Sequence, residues 1–193
     1  MASPFLYFPG ERLSQAELSA ACLDGHLIAL GEGFVPADLI ETAPLRAASL
    51  TALLGDALAA SHLSAAWVYG GVDDPPARHS VQRAVLQRLH HVIDRRVIYH
   101  DPRIGAGDLR RVGGVLVTTP ARTAADLART PGDGHPEALR SWSARDPEVA
   151  ELGLSWLAAH PRIPHRRRAA ELLAELRAAA RPEVDAGQEE VTR

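Results

Sequence analysis

The stretch LVTTPARTAADLAR, Leu116 to Arg129, reads as a buried strand running directly into a helix. Val115, Leu116 and Val117 show no polar alternation, the pattern of a central strand covered on both faces. Thr119 followed by Pro120 starts the helix: the threonine oxygen can accept a free backbone N–H, and proline stands where its missing donor costs nothing. Arg122, Asp126 and Arg129 then fall on one side, and Arg122 and Asp126 are four residues apart, close enough to pair. An exposed pair of that kind contributes only ~0.3 to 0.5 kcal/mol. Its value rises if Arg122 reaches backbone carbonyls at a strand end. Thr119, Pro120, Arg122 and Asp126 are therefore read as a structural signature that bolts helix to sheet, in preference to a catalytic set.

Working outward, residues 78 to 118 have strand texture, with HSVQRAV (79–85), RRVIYH (95–100) and GGVLVTT (113–119) separated by DPRIGAG and by Gly113-Gly114. Before them, VDDPP (72–76) is a turn, and Ser61 caps a helix in which Leu63, Ala66 and Trp67 share a face before Gly70-Gly71. Leucines and alanines from Ala43 to Leu54 recur at helical spacing. At the start, MASPFLYFPGER is an extended, partly buried arm, and Ser14 with Glu17 forms a capping box for a helix that stops near Asp24-Gly25. HLIALGEGFVP (26–36) is a hairpin around Gly31-Glu32-Gly33. A helix followed by a small hairpin is the closing half of a winged helix. After the signature, PGDGHP is a loop. DPEVAELGLSWLAAH is a helix capped by Asp146 with Pro147 in its first turn, and Arg166 to Ala180 forms the last helix. The expected fold is α+β: a degenerate winged-helix-like N-terminal module (1–42), a mixed β-sheet domain with flanking and C-terminal helices (43–180), and a disordered tail (181–193) too poor in apolar residues to pack.

Composition excludes several chemistries. All 21 residues counted as Lys or Arg are arginine, so a P-loop ending in GK[ST], a Schiff-base lysine and the carboxylate-plus-lysine nuclease set are ruled out. One cysteine, Cys22, excludes an internal disulfide and a cysteine-rich zinc site. With no signal-peptide pattern near the start, a reducing cytoplasm is the expected compartment. No apolar run approaches the ~20 residues that span a bilayer. A net charge of −3 means that any anion-binding surface is local.

The signature resembles the TSPARTLLDLAR motif of actinobacterial AbiEi-type proteins, antitoxins and transcriptional regulators of type IV toxin-antitoxin systems. SHLSAAWVYGG (61–71) is similar to their SH-x-SAA-x-x-x-G segment, and HSVQRAV with RRVIYHD looks like their two strands before the motif. The resemblance covers Ala43 to Arg129. It implies an N-terminal winged helix that binds promoter repeats of its own operon, with a larger C-terminal domain beyond it. Here one clear helix precedes the hairpin where a full winged helix has three, and the hairpin carries Glu32 and no arginine.

Positive charge gathers instead at Arg78, His79, Arg83, Arg88, His90, His91, Arg95, Arg96, Arg103, Arg110 and Arg111. If the strands are adjacent, these form one phosphate-tracking face; the alternative is a solvated face balanced by Asp73, Asp74, Asp94, Asp101 and Asp108. The candidate nucleic-acid contacts are Arg78, Arg83, Arg88, Arg95, Arg96, Arg110 and Arg111. HRRR (165–168) is a second cluster, at the helix end unfavourable for cations. Adjacent His90 and His91 face opposite sides of a strand and cannot share an ion, even with His100 nearby, so neither metal nor cofactor is expected. Trp67, Tyr69 and Tyr99 are read as core. The leading reading is a non-catalytic DNA-binding regulator, partnered by DNA, a toxin protein or a second copy of the chain, with no membrane. A protein-interaction module that has lost DNA reading is the alternative. A metal-dependent nuclease built on Asp73, Asp74, Asp94 and Asp101 is the third, weakened by the missing lysine.

Overall fold

Capping and turn chemistry place the first elements of the protein. A computed structural model describes residues 4–89, 94–102, 104–132 and 134–180. Helix α1 (Gln15–Leu23) begins at Ser14, whose side chain accepts from the Glu17 N–H while the Glu17 carboxylate takes the Ser14 N–H, closing the capping box. Strands β1 (Leu27–Leu30) and β2 (Gly33–Pro36) form the antiparallel hairpin, with Leu30 opposite Gly33. The preceding arm joins it: the Tyr7 and Phe34 backbones exchange two hydrogen bonds of 2.9 Å. The leucine-rich segment is broken into α2 (Ala43–Ser49) and α3 (Thr51–Leu54), because Leu50 leaves the helical region at ψ 2°.

The main sheet has the order β5-β4-β3-β7-β6. Its strands are β3 (Leu58–Ala60), β4 (His79–Arg83), β5 (Val97–His100), β6 (Leu109–Val112) and β7 (Val115–Thr118). β3 runs parallel to β7 and β4 parallel to β5, while β3/β4 and β6/β7 are antiparallel. The fold is thus α+β with a mixed sheet. Val115 and Val117 are buried and Leu116 is half-buried, consistent with a strand paired on both sides. Helix α4 (His62–Val68) follows β3, and α5 (Pro120–Arg129) follows β7. Beyond them come α6 (His135–Arg145), α7 (Glu148–Ala159) and α8 (Arg166–Ala179).

Two elements are unforeseen by the sequence reading. β3 is three residues without a β-branched side chain, and α6 begins inside the segment read as the loop PGDGHP. Two caps also differ in detail. Ser61 precedes α4 without a capping hydrogen bond, its hydroxyl lying 3.1 Å from the His62 ring instead, and Asp146 accepts from the Glu148 N–H at 3.1 Å. His90, His91, Arg103 and the tail 181–193 lie outside the described residues.

Two hydrophobic clusters meet on α4. The first joins Leu6, Leu30 and Val35 of the N-terminal segment to Leu50, Trp67, Val81, Val97 and Val117; the second joins Ala66 to Ala124, Leu127, Leu139, Trp142, Val149, Leu157 and Leu173. The N-terminal hairpin therefore shares its core with the main sheet. Full burial of each large side chain stabilises by roughly 1.5–3 kcal/mol.

Gly113, in the β6–β7 turn, has φ +55°, and a Cβ there would overlap the Pro44 carbonyl oxygen. Gly113→Ala is expected to destabilise the protein by about 2 kcal/mol or more, since it combines backbone strain with a backbone clash. Gly107→Ala, with nothing within 4 Å and no positive φ, serves as the control. Urea midpoints check this; equal midpoints for the two variants would contradict the placement of the turn against α2.

Candidate functional site

The polar stripe of α5 is buried, which changes its energetics. Thr119 caps the helix, its hydroxyl accepting from the Arg122 N–H at 3.3 Å, and Pro120 is the first helical residue. Asp126 is 0 % exposed. Its carboxylate accepts from Arg122 Nε at 2.7 Å on one oxygen and from Arg129 Nε at 2.8 Å on the other. Among the described residues, the Arg122 side chain donates to carboxylates and not to a strand-end carbonyl. It continues to Asp108 at 2.9 Å, and its guanidinium lies 4.8 Å from the centre of the Trp156 ring. The Trp156 indole N–H donates to the other Asp108 oxygen at 2.6 Å. One network therefore joins α5, the turn before β6, and α7. Burial pushes the Asp126 carboxyl up, but His62, Arg122 and Arg129 outweigh burial and hold it below its ordinary value.

Asp108 and Trp156 escape the sequence reading because no local spacing connects them to Arg122. The same holds for a histidine cluster beside Asp126. The His62 ring stacks on His100 with centroids 4.1 Å apart and lies 5.5 Å from His135. His62 also approaches the Thr130 hydroxyl at 3.4 Å, and His135 approaches the Thr130 carbonyl at 2.9 Å. Burial drives the His62 imidazole down to about 3; Asp126 opposes this, while His100, His135 and Arg129 add to it. Among the described residues, no group of three or more His, Cys, Asp or Glu side chains is disposed to hold a metal.

The structure disperses the candidate arginines. β5 and β6 are opposite edges of the sheet, so the adjacency needed for one continuous face is not met. Arg83 is buried and donates to the carbonyls of Asp101, Val85 and Leu86. Arg78 donates to the Val97 carbonyl at 2.6 Å, and Arg88 pairs with Asp101 at 3.2 Å. Arg96 is clamped between Asp94 and Glu32, and its hydrogen bonds hold the Asp94 carboxyl at about 2. Arg95, Arg110 and Arg111 are exposed and make no ion pair among the described residues. Of the nuclease carboxylates, Asp73 is held by Arg145, Asp94 by Arg96 and Asp101 by Arg83 and Arg88, at separate places. Trp67 is fully buried, with Tyr69 and Tyr99 half-buried against the same core.

Removing Arg122 leaves the Asp126 carboxylate buried with half its compensation, so Arg122→Met is expected to cost about 3–5 kcal/mol by urea denaturation. A loss below 1 kcal/mol would show that the network is slack.

The histidines give a pH signature. Unfolded His62 takes up a proton near 6.5, whereas the folded form resists to about 3. Its contribution to stability is complete above 6.5 and is lost as pH falls from there toward 3. His79 and His100, lowered chiefly by burial, act in the same sense, while Asp126, lowered from 3.8, adds its loss only below that value. Stability is thus expected to fall between pH 6.5 and about 4.5, with a shallower slope in His62→Asn. Superimposable profiles would exclude His62 as a source of the effect.

Against known proteins, none of the curated ones matches this chain. The family model described as the AbiEi antitoxin C-terminal domain matches residues 58–175, from the first residue of β3 to the interior of α8. The match includes the His62 segment, the sheet, the Arg122–Asp126 signature and the helices that close over it. On that match, which covers more than half of its length, the chain belongs to the AbiEi antitoxin C-terminal domain family.

Proposed function

We propose that the protein is a non-catalytic, DNA-binding transcriptional regulator of the type IV antitoxin kind, acting in the cytoplasm by occupying DNA. Family membership is the observation that carries the reading. It is supported by arginines that are exposed on the sheet domain and taken up by no carboxylate among the described residues. Of the candidate contacts, Arg95, Arg110 and Arg111 are proposed to meet phosphate. Arg88 joins them from its exposed pair with Asp101, while Arg78, Arg83 and Arg96 keep the sheet edge in place. Arginine suits this role because its guanidinium binds phosphate in bidentate geometry. No step of the proposal requires a metal, a cofactor or a nucleophile.

A second reading, an interaction module bound to a toxin protein or a second copy, is favoured by one observation. The hairpin that would serve as a wing offers no cation, and its turn is occupied within the molecule. The two readings separate in a fluorescence-anisotropy titration against the DNA upstream of its own gene and a scrambled duplex, at low and physiological salt. The regulator reading expects preferential binding that weakens steeply as salt rises, because each phosphate contact contributes about 0.9 to the slope of log K against log salt. Absence of binding even at low salt would overturn it and leave the interaction module.

A further inference from the structure

We infer that His62, His100 and His135 form an acid-sensitive latch: while neutral they hold the first turns of α6 against the sheet, and proton uptake frees those turns while the far end of the helix stays anchored. The inference stands apart from the DNA-binding reading, and neither requires the other.

The latch joins three elements at one point. His62 opens α4, His100 ends β5 and His135 opens α6. The His62 ring is stacked between the other two, inclined by 19° to His100 and by 28° to His135. His62 also has φ +44°, a conformation that side chains with a Cβ rarely adopt, so it is held there by its surroundings. The start of α6 has little else to fix it. Its N-cap is Gly134, at φ +80° and without a side-chain cap, and the contacts that tie it down are the His135 ring on the Thr130 carbonyl and the stack itself. The other end is bolted. Trp142 packs so closely on Gly71 that a Cβ there would overlap it, and it stacks on Tyr69 at 5.9 Å. Arg145 donates to the Gly70 carbonyl at 3.1 Å and to both Asp73 oxygens, at 2.7 and 2.6 Å.

The charges around the rings oppose protonation of the closed form. From α5 they face Asp126 and Arg129, and β4 contributes the uncharged Gln82, level with His100 on the same face of the sheet. Asp126 already answers Arg122 and Arg129, so a proton on one ring places a cation beside two more imidazoles and an arginine with no carboxylate to spare. On His135 it would also stand at the positive end of α6. Burial keeps His62 and His100 below their ordinary value when closed; once water reaches them they take up protons near 6.5. Opening is thus favoured as pH falls through that value. His100, half-buried, is the ring nearest solvent and the point of entry. The freed turns carry Ala138 and Leu139, both buried when closed, so the open form presents apolar surface that the closed form hides.

Hydrogen exchange of the full chain tests this, with rates corrected for the intrinsic effect of pH. Each ring should raise the open population about tenfold between about pH 7.5 and 5.5, so the amides of Ala138 to Ser141 should lose protection at least tenfold. Low urea should leave that exchange unchanged while it accelerates exchange in β7, because a local opening exposes little surface. His100→Phe, which keeps a stacked ring and cannot take a proton, should remove about tenfold of the pH effect, and His62→Asn with His100→Phe should leave less than about twofold. Should the double variant fail to fold, the single one decides. Protection in α6 that does not change with pH, that falls with the same urea dependence as β7, or that falls equally in His100→Phe would overturn the inference.

Discussion

The fold turns on one buried carboxylate. Asp126 has no contact with solvent, and a lone ionised carboxylate in that position would cost many kcal/mol in lost hydration. It is tolerated because each of its oxygens meets a guanidinium, from Arg122 and Arg129. Arg122 in turn requires its own partners, and finds them in Asp108 and the face of Trp156. Two acids and two arginines close the charge balance among themselves. A buried network of this kind is weak evidence of net stabilisation, but it fixes packing: sliding α5 by one turn against α7 would strand a charge. The signature thus joins the sheet to α5 and α7 in one charge-balanced network.

That division of labour runs through the arginines of the whole chain. Arg46 holds the Trp67 and Val72 carbonyls, Arg83 those of Val85 and Leu86, and Arg166 that of Leu157. In a protein without lysine, arginine both staples backbone and supplies surface charge, so density of arginine along the sequence is a poor guide to a binding face. Only exposure together with freedom from carboxylates separates the two uses. By that criterion the available charge is Arg95 just before β5, Arg110 and Arg111 on β6, and Arg162 and Arg168 at the α7–α8 corner, while Arg78, Arg83 and Arg96 are spent on the β4–β5 side.

Much of this was legible locally. The capping box of Ser14 and Glu17, the hairpin about Gly31 and Glu32, and the strand-to-helix junction at Thr119-Pro120 are written in adjacent residues, and the family motif covers the last of them. What could not be read is long-range. The register that sends β5 and β6 to opposite edges depends on β3, whose Leu58-Ala59-Ala60 carries no strand signal of its own. The partners of Arg122 lie 14 and 34 residues distant, and the stacking of His62, His100 and His135 joins three elements whose order gives no hint of it. The break at Leu50 is equally hidden, since the apolar spacing continues across it.

The most direct test of the claim that the signature is scaffold and not site is to replace its central ion pair by apolar side chains. Arg122→Met with Asp126→Leu removes both charges together, so neither is left buried and uncompensated, and such replacements are often neutral or stabilising. The account predicts a folded double variant that binds the upstream duplex with unchanged affinity and salt slope. A variant that folds with the same melting behaviour yet no longer binds DNA would contradict it, and would place Arg122 in the working surface.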